Sequence, residues 1–228
     1  MTGPARAIPY QCMAEGNRCR RKRTPMKTKT SGIIMATKIE AEPFINGFGL
    51  ALVEKKPVPL YAAGPLLLAL SGIGKTSAAI ATAALIERHH PSAVFNCGAA
   101  GAAGGGFSVG DILHIDRVYE LDRPHLTADR PVAHKPDTMR GFRRASLATR
   151  DRPFLEDDDR RAASVHADLV DMEGAAVVQA CRAFGVDVYL FKIVSDTHGA
   201  GTEEIIGNMI ATRGTMFEFF RDRIRPGL

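Results

Sequence analysis

Residues 167–197 read ADLVDMEGAAVVQACRAFGVDVYLFKIVSDT, and this stretch decides the fold. A short apolar run, Leu169-Val170, ends at Asp171-Met172-Glu173. Small residues then predict a helix over Gly174–Phe184, and a second apolar strand, Val188–Val194, ends in Ser195-Asp196. In an open α/β sheet the strand C-termini line the ligand crevice. Glu173 and Asp196 each stand where a strand runs out, so two carboxylates can face one pocket. Such a pair suits acid/base work or a grip on sugar hydroxyls. The same acids also suit a helix N-cap or first turn, stabilised by the helix dipole. Pattern alone leaves both readings open.

The chain has 228 residues, enough for one domain with a sizeable core. Hydrophobic residues make 45% and charged residues 24%, ordinary for a globular protein, and no apolar run is long enough to cross a membrane. The net charge of +5 is unevenly spread. Residues 1–30 hold eight Lys/Arg against Glu15 alone, a net of +7, which leaves −2 for residues 31–228. The basic N-terminal extension lacks apolar periodicity and is expected to be disordered and solvated, with neither nucleic acid nor membrane as a partner. No apolar segment follows its basic cluster, which speaks against a signal peptide, and Met26 or Met35 is an alternative start. The four cysteines, Cys12, Cys19, Cys97 and Cys181, form no CxxC pair, and the seven histidines show no HExxH grouping. A zinc site and a disulfide framework are therefore not expected, no metal or cofactor is implied, and a reducing cytoplasm fits.

Along the chain, Ser31–Thr37 reads as a buried strand with Glu40 just beyond it. A hairpin is expected from Leu50–Lys55 and Val58–Ala63, then a strand Leu66–Leu70. Ser71-Gly72-Ile73-Gly74-Lys75-Thr76 opens an alanine-rich helix to His89. Gly-Lys-Thr invites a phosphate-loop reading, but the required earlier glycine position holds Ala69, inside an apolar strand. The better reading is close strand-to-helix packing, with Lys75 pairing locally. Ala93–Cys97 is a strand, and Gly98-Ala99-Ala100-Gly101 reads as a loop whose small residues let a ligand approach the backbone. Val109–Ile115 turns into a strand reaching Glu120. The polar, proline-dotted segment from Leu121 to Arg144 reads as a long loop over a site or a subunit contact. Ala145–Thr149 is a short strand. Phe154 and Leu155 follow; Phe154 either stacks on a flat ligand or staples the helix that starts near Glu156. A C-terminal helix, Thr202–Arg223, is expected to pack Ile205, Ile206, Met209, Ile210, Met216, Phe219 and Phe220 on the sheet.

Taken together, SGIGK (71–75), VGDI (109–112), MEG (172–174) and SD (195–196) occur in an order that resembles the purine nucleoside phosphorylase/nucleosidase superfamily. The similarity is greatest to the methylthioadenosine/S-adenosylhomocysteine nucleosidases and futalosine hydrolase, over Ser31 to about Thr197. It implies a single three-layer α/β domain over residues 31–228, with a mixed, partly barrel-like central sheet flanked by helices, in a homodimer or higher oligomer. It implies hydrolysis of the N-glycosidic bond of a purine nucleoside of the 5'-modified adenosine type. The alternatives are a phosphorylase or a non-catalytic nucleoside-binding relative. By resemblance Glu40 activates the attacking water and Asp196, beside Ser195, delivers a proton to N7 of the base. Glu173, after Met172, grips the ribose hydroxyls, Ala99-Ala100-Gly101 lie beside ribose and nucleophile, and Phe154-Leu155 line the base.

Two departures favour water over phosphate as nucleophile. The phosphorylases' phosphate-holding arginine is replaced by Asn96, and the serine after the first glycine by Ala99. Arg143, Arg144 or Arg150 would have to replace that arginine. The segment 120–146 is also shorter and more basic than the nucleosidase pattern, and Thr37 stands where methionine is usual, which leaves the 5' group open.

Overall fold

A computed structural model describes residues 29–123 and 130–228. The basic extension, apart from its last two residues, and residues 124–129 of the long loop lie outside the described residues.

The core of the molecule is a mixed sheet that closes on itself. β1 (Ser31–Met35), entirely buried, lies between two parallel neighbours, β4 (Leu66–Leu70) and β5 (Ala93–Ala102). From β4 the sheet runs outward through the antiparallel β3 (Leu60–Ala63) and β2 (Ala51–Glu54), the expected hairpin. On the other side β5 pairs parallel with β10 (Asp187–Asp196) and antiparallel with β9 (Leu169–Asp171). β10 continues to β6 (Ile112–Glu120), β6 to β8 (Arg144–Thr149), and β8 back to β9. Strands β5, β10, β6, β8 and β9 thus form a ring, with β1–β4–β3–β2 as an open flap. A short β7 (Val132–His134) pairs with β6 inside the segment read as loop.

Helices cover both faces. α2 (Lys75–His89) and α4 (Gly174–Phe184) bury alanine-rich and Val/Cys faces against one side of the sheet. Small side chains let them come close, and α4 stops at Gly185, whose φ of 67° supplies the left-handed C-cap. On the opposite side lie α1 (Lys38–Gly47) and α5 (Thr202–Phe219), joined by a Phe44–Phe48–Phe217–Phe220 cluster with ring centroids 5.0–6.2 Å apart. α3 (Asp157–Ser164) covers a third, smaller core around Phe154, Ala163 and Val170.

Three sequence expectations change, and one unassigned segment gains an element. Gly98–Gly101 is not a loop: β5 runs through it to Ala102, paired there with β10 and, from Gly101, with β9, and small residues are what fit between those strands and Glu40. A Cβ on residue 98 would sit 2.7 Å from Glu40 Oε1. The segment after β1 is a helix despite Pro43, and the Ile39 carbonyl that a proline nitrogen cannot serve accepts from Arg213 Nη1 at 3.2 Å. Lys75 pairs over long range, with Glu120 at 2.9 Å and Asp122 at 2.5 Å, joining the start of α2 to the end of β6. The first half of α5 does not bury its apolar face: Ile206 and Ile210 are exposed, and only Thr212 and Met216 of the helix are fully buried.

Candidate active site

A cavity of about 330 Å³ opens where β1, β5, β9 and β10 end. Its wall includes Glu40, Ala99, Ala100, Gly101, Phe154, Leu155, Met172, Glu173, Ser195 and Asp196. All ten residues singled out in the sequence therefore surround one space.

Glu40 is placed by the start of α1. Thr37 is the N-cap: its backbone N–H and hydroxyl donate to Glu40 Oε2 at 2.9 and 2.7 Å, and its hydroxyl accepts from the Glu40 amide at 3.3 Å. This reciprocal capping box leaves Oε1 turned to β5, where the Ala99 amide donates to it at 2.9 Å. Gly98, without a side chain, lets the carboxylate approach. The acid is buried, yet both oxygens are held by N–H or O–H donors.

Glu173 occupies the N-cap position of α4, but its side chain makes no capping bond. It turns instead to the Gly-Ile-Gly-Lys turn, where the Gly74 amide donates to Oε1 at 2.9 Å. Burial is the main force on it, reinforced by the neighbouring Asp171 carboxylate and opposed by Lys192, and together these push its pKa up to about 7. The next amide, Lys75 N, donates to Asp151 at 2.7 Å. Protein carboxylates thus take the amides that a phosphate loop would offer, which closes that reading of the Gly-Lys-Thr motif.

Beneath Glu173 lies a buried ion pair that the sequence reading missed. Lys192, 2% exposed, donates to Asp171 at 2.9 Å. Burial alone lowers the affinity of the Lys192 ammonium for its proton, but Asp171, Glu173 and Glu40 outweigh it and the net shift is upward. Asp171 also accepts from the Thr149 hydroxyl at 2.6 Å and the Gly174 amide at 2.8 Å. The visible signal was a lysine in the middle of the apolar run VYLFKIV, a place where a charge survives only with a partner.

Asp196 is the last residue of β10, and no helix follows until Thr202, so it caps nothing. A register shift between Val194 and Asp196 sets it against Gly101. Its Oδ1 accepts from the Ser195 hydroxyl at 2.5 Å, and its Oδ2 from the guanidinium of Arg160 on α3. Arg160 was the second residue missed; within the charged run DDDRRAAS nothing marks it as the one that turns inward. The cap reading of the two strand-end acids therefore holds in position only for Glu173, and not for Asp196.

Phe154 is buried, with the Arg150 guanidinium 3.8 Å from its ring centre, while Leu155 is half exposed at the mouth. Asn96 lies off the cavity wall: its amide donates to the Ile34 carbonyl at 3.1 Å. Arg143 pairs with Asp111 and Arg150 with Asp159, so neither reaches the cavity, and Arg144 is absent from its wall. Among the described residues Arg160 is the one arginine on that wall. The far side is apolar, built by Ile73 with Ile205, Ile206 and Met209 of α5.

Comparison with known proteins agrees with this architecture. The family model described as "Phosphorylase superfamily" matches residues 32–142 and 125–222. The chain is 31% identical to a 5'-methylthioadenosine/S-adenosylhomocysteine nucleosidase of Haemophilus influenzae, over 71% of this chain and 74% of that protein. It is 29% identical to the nucleosidase of that name from Bacillus cytotoxicus, over 59% and 69%. Among solved structures, futalosine hydrolase of Helicobacter pylori superposes with a TM-score of 0.79 at 17% identity, covering 87% of this chain and 100% of that one. The 5'-methylthioadenosine/S-adenosylhomocysteine nucleosidase of Neisseria meningitidis gives 0.70 at 24% identity, over 83% and 96%. Sequence and fold lead to one conclusion: the chain belongs to the phosphorylase superfamily.

Proposed function

We propose that this protein hydrolyses the N-glycosidic bond of a purine nucleoside of the 5'-modified adenosine type, releasing the free base and a ribose derivative. The observation that carries the reading is three separately held carboxylates, Glu40, Glu173 and Asp196, around one cavity with a side-chain-poor strand edge between them. The relatives named 5'-methylthioadenosine/S-adenosylhomocysteine nucleosidase supply the reaction class.

The bond breaks through a sugar that takes on oxocarbenium character, so the base must leave neutral and water must arrive on the opposite face. Asp196 is the acid for N7 of the base; because its Oδ2 pairs with Arg160, the proton it delivers is carried on Oδ1, the oxygen beside the Ser195 hydroxyl. Glu40 is the base for water; it lines the cavity with one lone pair of Oε1 uncommitted, while Thr37 and Ala99 fix its angle. Glu173 accepts from the ribose hydroxyls and, when ionised, stabilises positive charge developing on the ring. Ala99, Ala100 and Gly101 give the sugar room against β5, Met172 and Phe154-Leu155 enclose it and the base, and the apolar wall from α5 receives the 5' group.

Water is favoured over phosphate because no cavity-wall arginine other than Arg160 is present among the described residues, and that one is bound to Asp196. The test is a panel of 5'-modified adenosines incubated with and without phosphate while free base is followed. Base release independent of phosphate is expected. Release only with phosphate assigns a phosphorylase, and no release under either condition removes the enzymatic reading.

The same reading includes a homo-oligomer. Ile73, Leu155 and Ile206 are exposed on the cavity wall, Ile39 and Ile210 are exposed on α1 and α5, and a second copy covering the wall would complete its apolar side. A reducing, cytoplasmic setting suits Cys97 and Cys181, both buried and unpaired.

A further inference from the structure

No polar side chain of the Gly-Ile-Gly-Lys turn takes part in the proposed chemistry, yet Lys75 sits where the local rule disfavours it. It is the first residue of α2, at the positive end of the helix dipole, where acidic side chains are preferred. Three carboxylates from other segments offset the misplaced charge. Lys75 Nζ donates to Glu120 at 2.9 Å and to Asp122 at 2.5 Å, and lies 3.9 Å from Asp151. Burial alone weakens the hold of the ammonium on its proton, but Asp122 and Glu120 outweigh it and the net shift is upward. The acceptors are themselves held. Asp122 Oδ2 accepts from the Asp151 amide at 2.8 Å, and Glu120 Oε2 accepts from Gln179 on α4 at 3.1 Å. A residue that breaks a local preference and is offset by distant partners has its reason in the tertiary structure.

The backbone beside this knot is what holds Glu173. Gly74 caps α2 with a φ of 96°, and its amide donates to Glu173 Oε1 at 2.9 Å. Among the described residues that amide is the one hydrogen-bond donor to the Glu173 carboxylate. The Lys75 amide donates to Asp151 Oδ1 at 2.7 Å, and a Cβ on residue 74 would lie 3.2 Å from the same oxygen, so the turn, Asp151 and Glu173 are in close register. A single backbone donor thus aims a buried carboxylate, and the tie from Lys75 to the end of β6 fixes where that donor stands.

We infer that Lys75 is a positioning residue for the sugar end of the cavity: by tying the start of α2 to Glu120 and Asp122 it holds the Gly74 amide against Glu173, and through Glu173 it sets the grip on the ribose hydroxyls. The inference rests on the nucleosidase reading and gives the Gly-Ile-Gly-Lys turn a task within it.

The test uses the full-length protein with 5'-methylthioadenosine and its 2'-deoxy counterpart, which differ only in a hydroxyl that Glu173 would accept from. The ratio of their kcat/KM values reads the grip on the sugar. Lys75→Met is expected to lower kcat/KM for the ribose substrate by ~10-fold or more and to narrow the ribose preference by ~3-fold or more, because the misaimed carboxylate loses the contact that only one substrate offers. Lys75→Arg, which keeps the charge, is expected to narrow it by less. A lysine with a merely structural role lowers both substrates alike, so a ratio unmoved in folded Lys75→Met overturns the inference and leaves the nucleosidase reading standing. In a Glu173→Gln background Lys75→Met should not move the ratio further, and an additive effect there also overturns it. Where Lys75→Met does not fold, Asp122→Asn loosens the same tie from its exposed end and is judged by the same ratio. If the wild type cleaves neither nucleoside, the nucleosidase reading fails, and the Gly74 amide resonance decides the inference alone. In the wild type it should titrate with Glu173, which is faced by Asp171, Lys192 and Glu40, near pH 7. A midpoint that rises in Lys75→Met, as the carboxylate loses its donor, supports the inference, and an unmoved midpoint overturns it.

Discussion

At the scale of single residues, the site is a set of carboxylates with unequal surroundings. Asp196→Asn keeps the Ser195 contact in shape but removes the proton, and turnover should fall at least ~100-fold with a smaller change in KM, read by steady-state base release. Glu173 has a pKa of about 7, raised chiefly by burial. The anion is the form that accepts both ribose hydroxyls, so kcat/KM should decline as pH falls below about 7. The sign for stability is opposite. The folded state holds this proton more tightly than the unfolded chain, so the contribution is present below the ordinary carboxylate value of 4.5 and is lost as pH rises through about 7. Replacing Glu173 by Gln should remove both trends, seen as a flatter pH profile and a flatter pH dependence of unfolding free energy. Lys192→Met would leave Asp171 buried without its cation and should cost about 3–5 kcal/mol in denaturant unfolding. Glu40, Glu173 and Asp196 were legible in the sequence because each sits at or just past a strand end. Lys192 and Arg160 were not, because which lysine or arginine turns inward is set by partners that come from distant segments, Asp171 and Asp196.

At the scale of elements, the sequence showed most clearly those with a strong apolar run and an evident stop. The strands flanking α4, the hairpin of β2 and β3, and the alanine-rich α2 all lie where the pattern put them. α1 was hidden by Pro43, whose cost is offset by a guanidinium donated from α5. The strand character of Gly98–Gly101 was hidden because small residues signal a loop by composition, and only the neighbouring β9 and β10 make them a close-packed strand. The capping box on α1 makes a test of its own. Thr37→Ala should cost about 1 kcal/mol of stability and also lower kcat, because the cap that ends the helix is the clamp that aims Glu40. Glu40→Gln can close the box with its single amide oxygen but then turns its NH2 toward the Ala99 amide, so it should lose turnover and also cost about 1–3 kcal/mol in unfolding.

At the scale of the whole molecule, the sheet explains why residues from Glu40 to Asp196 meet. β1, β5, β9 and β10 deliver their ends to one side, and α3 and α5 close over them. The order of motifs was readable along the chain, but the ring was not, since β10 pairing with both β5 and β6 leaves no local trace in sequence. The exposed isoleucines of α5 and the Gly-Ile-Gly-Lys turn have their own expected outcome. Light scattering should give an oligomer for the wild type, and Ile206→Glu with Ile210→Glu should shift it toward a single chain and weaken binding of substrates with apolar 5' groups. The closed ring also sorts the molecule by cooperativity. Every strand of the ring is paired on both sides, whereas β2 ends the flap with one neighbour and exposed side chains. Amide hydrogen exchange should therefore begin at the β2–β3 hairpin, and the protons of β5 and β10 should be released only when the whole domain unfolds.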